Sequence, residues 1–385
     1  MKLNRQLTVL FLVFDTKMYG SNIALKNLIN DLHDNYTVRP IVVYRKEGEF
    51  VRWLEKNGIE NYQHNFGFAI YPKIRSLFDI VLFIPRIFNL MRMRGERELI
   101  KLVKDVSPDI IHTNVGPIHV GSVIARKLNI PHVWHIREYQ IADYRYFPFP
   151  SKQSFSSKLQ HSHCISISKD LFNYFDMDDA YGKVIYDGVM SEDFTPHDIQ
   201  KKKQLLYVGR ILKTKGIEDL LNSFVRTSDT DPEYELYIAG EGDKKYVESL
   251  KNLVKVNKLE DRIKFLGYRS DRYKLMAQAS ALIVPSYKEG FGFITVEAMF
   301  NKCLVIGRNS GGTQEILANR GLGILFNDNQ ELDQALRDVM THGSSYYVKQ
   351  VKKAYKYAKS NFTTQNHSTN IYNHYLKILK NYEGY

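Results

Sequence analysis

Two glutamates bracket a glycine-rich turn in the run Glu289-Gly-Phe-Gly-Phe-Ile-Thr-Val-Glu297. Ionised carboxylates accept hydrogen bonds from hydroxyls. The glycines let a polar ligand approach main-chain N–H groups, and a helix starting behind them favours negative charge. The apolar run Ala281-Leu-Ile-Val-Pro285 precedes the turn and Ala298-Met-Phe300 follows it, so the order is strand, glycine loop, helix. Glu289 opens the loop and Glu297 falls in the first turns of the helix. Their side chains therefore reach different parts of one elongated ligand. A molecule with hydroxyls at both ends and phosphate between them fits, and a nucleotide sugar is such a molecule. Arg210 and Lys215 follow another strand by a short loop. Cations held there would neutralise a diphosphate and stabilise it as it leaves.

The first of these stretches resembles the Glu-x7-Glu motif of retaining glycosyltransferases of the GT-B fold, especially glycosyltransferase family 4. Leu206-Tyr-Val-Gly-Arg-Ile-Leu-Lys-Thr-Lys-Gly216 resembles that family's strand and loop, in which Gly-Arg precedes Lys-Gly. Ile238-Ala-Gly-Glu-Gly-Asp243 is similar to its Gly-x-Gly turn after the second C-terminal strand, and Gly311-Gly-Thr-Gln-Glu-Ile316 to a segment beside the donor. The four occur in family order within residues 204–326. The resemblance implies that Glu297 holds ribose hydroxyls, that Glu289 contacts the transferred sugar or its reacting carbon, and that Gly209, Arg210 and Lys215 meet the diphosphate. Main-chain N–H groups of Phe291, Gly292 and Phe293 would line sugar and phosphate. Glu289, His135, Arg210 and Lys215 are the catalytic candidates.

In the first half of the chain, relatives carry a glycine pair after the opening strand, against the donor phosphate. This chain has Tyr19-Gly20, which keeps Gly20 as a donor-binding candidate and departs from the pattern at Tyr19. His135 ends the run Pro131-His-Val-Trp-His135 where many relatives place a histidine near the sugar. Arg137 and Glu138 are acceptor-side candidates, or a pair bonded to each other, and His112 ends another strand. For metal, Asp176-Met-Asp178 and Asp229-Thr-Asp231 match a minimal Asp-x-Asp pattern without the preceding apolar strand, and His161-Ser-His163 has no third ligand at metal spacing. No metal and no cofactor are expected, because Arg210 and Lys215 supply the charge a metal would give.

Apolar runs alternating with helical patterns place these residues. Strands are expected at 7–14, 38–44, 109–113, 132–136, 164–168 and 183–186. After the charged Asp198-Ile-Gln-Lys-Lys-Lys203 they resume at 204–208, 234–239, 263–266, 281–284, 303–306 and 323–326. Such alternation predicts an α/β chain with two Rossmann-like domains, whose parallel sheets face a central cleft. The expected boundaries are 1–195 for an acceptor-binding domain, 196–365 for a nucleotide-sugar-binding domain, and 366–385 for a helix that, by resemblance, crosses back to the first domain. A length of 385 residues suits two domains.

The net charge of +12 comes from dispersed basic residues, without the basic and aromatic stripe of a nucleic-acid module, so nucleic acid is not an expected partner. Residues 73–97 mix arginines with apolar side chains, either as a surface for anionic lipid or as a packed helix with a basic outer face. No signal peptide or membrane-length apolar run stands out, and Cys164 and Cys303 read as reduced core residues. The expected setting is cytoplasmic, at the inner face of the cell membrane, with a glycan or lipid-linked acceptor and a UDP-linked donor. A sugar-nucleotide epimerase, or a partner subunit of GT-B fold without activity, is the alternative. The residues leave the donor base and sugar, the acceptor and its linkage, and the oligomeric state open.

Overall fold

A computed structural model describes residues 5–18, 20–67, 69–72, 81, 84, 96–141, 146–318 and 321–382. Tyr19 and most of the 73–97 segment, with its proposed lipid surface, lie outside the described residues. The chain divides into two units, Met1–Gly188 with Thr364–Tyr385, and Val189–Thr363.

The first unit contains β1 (Leu7–Val13), β2 (Val38–Tyr44), β3 (Glu60–Gln63), β4 (Ile70–Pro72), β5 (Ile110–Asn114), β6 (His132–Ile136), β7 (Tyr146–Pro148), β8 (His163–Ser166) and β9 (Gly182–Val184). Seven of these form one parallel sheet in the order β3-β2-β1-β5-β6-β8-β9, and β4 pairs antiparallel with β7. Continuous apolar runs such as Leu7–Val13 arise because central parallel strands are covered on both faces. The sequence reading missed β3. Its Glu-Asn-Tyr-Gln has no apolar run because it is an edge strand, and Glu60 pairs there with Arg39 on β2.

The helix Thr364–Tyr382 belongs to this unit. Its Ile371, Tyr375, Ile378 and Leu379 are buried in one core with β1, β2 and the Gly20–Asn35 helix. The same helix sets His367 and His374 beside the buried histidines of the sheet, with His367 against His135 and His374 against His163.

The second unit contains β10 (Lys202–Val208), β11 (Glu235–Ala239), β12 (Ile263–Gly267), β13 (Ala279–Val284), β14 (Leu304–Arg308) and β15 (Ile324–Phe326), all parallel, in the order β12-β11-β10-β13-β14-β15. These are the six strands expected from the sequence. The order reverses direction between β10 and β13. Open α/β sheets bind ligands at such a switch point, beyond the carboxyl ends of the strands. The helices Lys152–Gln160, Gly311–Leu317 and Val348–Asn361 were not expected. The first is serine-rich, the second opens on two glycines, and the third is lysine-rich and fully buries only Ala354 and Ala358. Cys164 and Cys303 are buried free thiols. Among the described residues, no helix is long and apolar enough to cross a membrane.

Burial favours the neutral form of His112, His119, His132, His135, His367 and His374 in the first unit. It pushes His132 down to about 3, and His367 and His374 to about 4. In the unfolded chain these rings protonate near about 6.5. Their contribution to stability is therefore complete above about pH 6.5 and is lost as pH falls toward about 4, because the unfolded chain then binds more protons. Both tryptophans, Trp53 and Trp134, lie in this unit, so selectively excited tryptophan fluorescence reports on it alone. We expect the tryptophan-monitored urea midpoint to be clearly lower at pH 5 than at pH 7.5. Equal midpoints would show that histidine burial does not govern this unit's stability.

Candidate functional site

The loops following β10 and β13 lie side by side at the switch point of the second unit, and glycines set how closely they pack. Gly216 adopts φ +66°, and a Cβ there would lie 2.1 Å from the carbonyl oxygen of Pro285. A Cβ on Gly311 would lie 2.5 Å from Glu289 O, and one on Gly312 would lie 2.0 Å from Phe291 O. No side chain fits such a gap, so the main chain of residues 285–292 rests directly on the 216 and 311–312 backbones. Hydrogen bonds complete the clamp: Tyr287 N donates to Thr214 O at 3.2 Å, and Gly312 N to Glu289 O at 2.8 Å. Arg308 Nε donates to Pro285 O at 3.0 Å, and Ser310 Oγ to Tyr287 O at 2.6 Å. Gly209 and Gly240 repeat the device between β10 and β11, where a Cβ on Gly240 would lie 1.8 Å from Gly209 O.

On this frame Lys215 Nζ donates to Glu289 Oε1 at 2.7 Å, with both side chains about one-fifth exposed (24% and 19%). Arg210 is exposed just after Gly209, and its carbonyl accepts from the Tyr207 hydroxyl at 2.7 Å. Gly292, at φ +96°, turns the chain into the Phe293–Phe300 helix without a side-chain cap. The first N–H groups of a helix have no partner within it. Phe291 is buried between Phe293 and Phe362. Glu297 is buried one helical stretch further on, where its two oxygens accept from Arg272 Nε and Nη2, both at 3.1 Å. Burial raises the Glu297 carboxyl toward its neutral form, and Arg272 opposes this. Arg272 carried no signal in the sequence: it stands in a polar stretch, Arg269-Ser-Asp-Arg-Tyr273, 25 residues before its partner.

The candidates of the first unit have internal partners. Gly20 begins the helix after β1, and Asn22 Nδ2 ties the preceding loop by donating to Asp15 O at 2.6 Å. His135 is fully buried, with Nδ1 3.3 Å from both His112 Nε2 and Arg137 Nη2. Burial and the Arg137 charge hold its ring well below the usual imidazole range. Arg137 donates to Asp187 Oδ2 and, at 2.7 Å, to Asn114 Oδ1, while Glu138 accepts from Gly116 N at 2.8 Å. Arg137 and Glu138 are thus bonded to other groups and not to each other.

One cluster with metal-ligand atoms escaped the sequence reading. His135, Asp187 and His367 each offer one atom, all within 4.8 Å of one another. No spacing rule links positions so far apart. Arg137 already supplies the positive charge beside Asp187, and a divalent ion there would add uncompensated charge to a buried site. These residues fit an internal ion pair better than a metal centre. Of the Asp-x-Asp pairs, Asp178 caps Ala180 N and Asp231 pairs with Lys203, which are structural duties at turns.

Residues 189–360 match the family model for glycosyl transferases group 1. The matched stretch lies within the second unit, Val189–Thr363, and spans nearly all of it. An uncharacterized glycosyltransferase of Methanocaldococcus jannaschii is 29% identical over 263 residues, covering 64% of this chain and 70% of that protein. The N-acetyl-alpha-D-glucosaminyl L-malate synthase of Bacillus anthracis is 29% identical over 126 residues, about a third of either chain (33% and 32%). Among solved structures, Anabaena HepE in complex with UDP aligns with a TM-score of 0.78 and 20% identity, covering 95% of this chain and 99% of its own. The same protein in complex with UDP-glucose gives a TM-score of 0.74. At that identity the likeness establishes the fold, which is GT-B.

The glycine contacts generate a test that needs no ligand. Gly312→Ala must displace the 289–292 main chain and should cost about 1–3 kcal/mol, as overpacking does. Gly58, at φ +66° with nothing within 4 Å of its Cβ position, is the control. Asparagine tolerates that conformation, so Gly58→Asn should be close to neutral. Chemical denaturation of both variants checks this, and equal losses would mean that crowding is not what the glycines relieve.

Proposed function

We propose that the chain is a retaining glycosyltransferase that moves a sugar from a UDP-linked donor to a hydroxyl acceptor. The observation that carries this reading is the Lys215–Glu289 pair, held on clamped main chain at the switch point of the second sheet. A cation and an anion side by side suit a ligand with a phosphate next to a hydroxylated ring. Lys215 and Arg210 would bind the diphosphate, Glu289 the sugar and Glu297 the ribose. The main-chain N–H groups of Phe291, Gly292 and Phe293 would complete the phosphate cradle. The choice of uracil rests on the complexes of HepE with UDP and UDP-glucose. Retention rests on the resemblance to glycosyltransferase family 4.

In the proposed reaction the bond from the anomeric carbon to the diphosphate oxygen breaks, and a bond to the acceptor oxygen forms on the same face. The acceptor proton passes to the leaving phosphate. Charge develops on that phosphate, where Arg210 and Lys215 would stabilise it. We assign no role to metal. A glycan or lipid-linked acceptor at the inner face of the membrane fits the enzyme's basic character.

A thermal-shift screen of nucleotide sugars tests the donor directly, since a ligand bound to the fold stabilises it by mass action. UDP-sugars should raise the midpoint, and GDP- or ADP-sugars should not. Lys215→Ala and Arg210→Ala should each lower turnover about 10²–10³-fold at saturating donor, the usual cost of one preorganised donor. Near-native turnover in both would remove them from the reaction. Activity should also persist in EDTA; complete loss, restored by Mg²⁺ or Mn²⁺, would require a metal site.

A further inference from the structure

Arg272, outside the sequence motifs, is a charged partner of the donor-site candidate Glu297. It lies on the Arg272–Gln278 helix, and Glu297 lies on the Phe293–Phe300 helix. The guanidinium meets the carboxylate as a fork, Nε to Oε2 and Nη2 to Oε1. Its Nη2 also donates to the Tyr273 hydroxyl at 3.0 Å, and the Tyr273 ring lies 4.7 Å beneath the guanidinium carbon. Phe194 packs on both helices, against Tyr273 and Phe300. The fork is therefore braced and not a loose surface pair. The Arg272 side chain is 25% exposed and that of Glu297 11%.

We infer that Arg272 is a positioning residue for the nucleotide's ribose, fixing the Glu297 carboxylate plane so that its remaining acceptor position meets a ribose hydroxyl. This rests on the donor-site reading above and deepens it.

A carboxylate has about four acceptor positions, and the fork uses one on each oxygen. The Tyr273 hydroxyl takes a third, so about one position is left to accept a ribose hydroxyl. A protonated carboxyl would lose part of this capacity and would present a donor instead. Burial drives Glu297 in that direction. The groups that oppose it are Arg272, by charge and hydrogen bonding, and the Tyr273 hydroxyl, which also bonds the carboxyl. Bidentate arginine–carboxylate pairs fix orientation as well as charge, which a lysine in the same place would not do.

Calorimetry with UDP on the full chain tests the inference at pH 8 and pH 6. Affinities are read as variant over wild type, so that the titration of UDP's own phosphate cancels. Arg272→Met should weaken UDP roughly tenfold to a hundredfold, with a ratio that worsens at pH 6 as Glu297 takes up a proton. Arg272→Lys keeps the charge and loses the fork. It should bind about threefold to tenfold more weakly, with a ratio that does not change with pH. In Arg272→Met/Glu297→Gln the loss should not exceed that of Glu297→Gln alone, the signature of one residue acting through the other. Wild-type affinity at both pH values in Arg272→Met overturns the inference, as does a double variant showing the two losses added. If Arg272→Met fails to fold by circular dichroism, Arg272→Lys decides: unchanged affinity overturns the role of the fork. If the wild type does not bind UDP, or if Glu297→Gln binds it as the wild type does, the donor-site reading itself fails. Loss in Glu297→Gln without loss in Arg272→Met refutes only the positioning role.

Discussion

Close contact between bare main chains is the constraint on which the second unit's site depends. Three carbonyls, those of Pro285, Glu289 and Phe291, occupy the space that side chains on residues 216, 311 and 312 would fill. A loop held by side chains can shift as rotamers change. A loop held by its own backbone against two others has few alternatives, because main-chain hydrogen bonds and van der Waals contact fix it together. Glu289 stands inside that clamped segment and Lys215 immediately precedes one of the clamping glycines. The main-chain positions that carry the two side chains are therefore fixed by these backbone contacts.

The charges follow a common logic. Each candidate donor-site glutamate meets a cation, Glu289 with Lys215 and Glu297 with Arg272, and the two pairs differ in burial. The first is partly solvated, and such pairs are worth at most about 1 kcal/mol. It can be opened at little cost when a ligand offers better partners. The second is more enclosed and forked, and separating it would leave charge stranded in a poor solvent. A site that must both exchange partners and hold a fixed acceptor has reason to contain one pair of each kind. In the first unit Arg137 and Asp187 form the most enclosed ion pair, and its neighbours are histidines kept neutral by burial.

The fold was legible because buried parallel strands must be apolar along their whole length. In the second sheet β13 is buried along its whole length, and the other five strands keep apolar residues at most of their buried positions even where Lys202, Glu235 or Lys264 intervenes, whereas β3 has no apolar run and was missed. The helix at Gly311 was hidden because its glycines serve the loop they touch and weaken the helical signal. The motif residues around 209–216 and 289–297 were legible because their types and order are constrained together. Arg272 and the Asp187–His367 contact were not, since a side chain that completes a site from another element leaves no local pattern. His135 was singled out from its position after a strand. Its enclosure by Arg137, His112 and His367 depends on contacts between elements far apart in the chain.

The C-terminal helix adds a constraint on the order of assembly. The unit formed by Val189–Thr363 is continuous in the chain, whereas the unit that begins at the N-terminus takes its last helix from residues 364–382. Domains generally fold as their residues emerge during synthesis. Here the unit begun first is finished last. Until residue 379 has left the ribosome, the apolar face of the Gly20–Asn35 helix and the strands beneath it lack the cover of Ile371, Tyr375, Ile378 and Leu379. During that interval the nascent chain carries one closed unit and one with an open hydrophobic face.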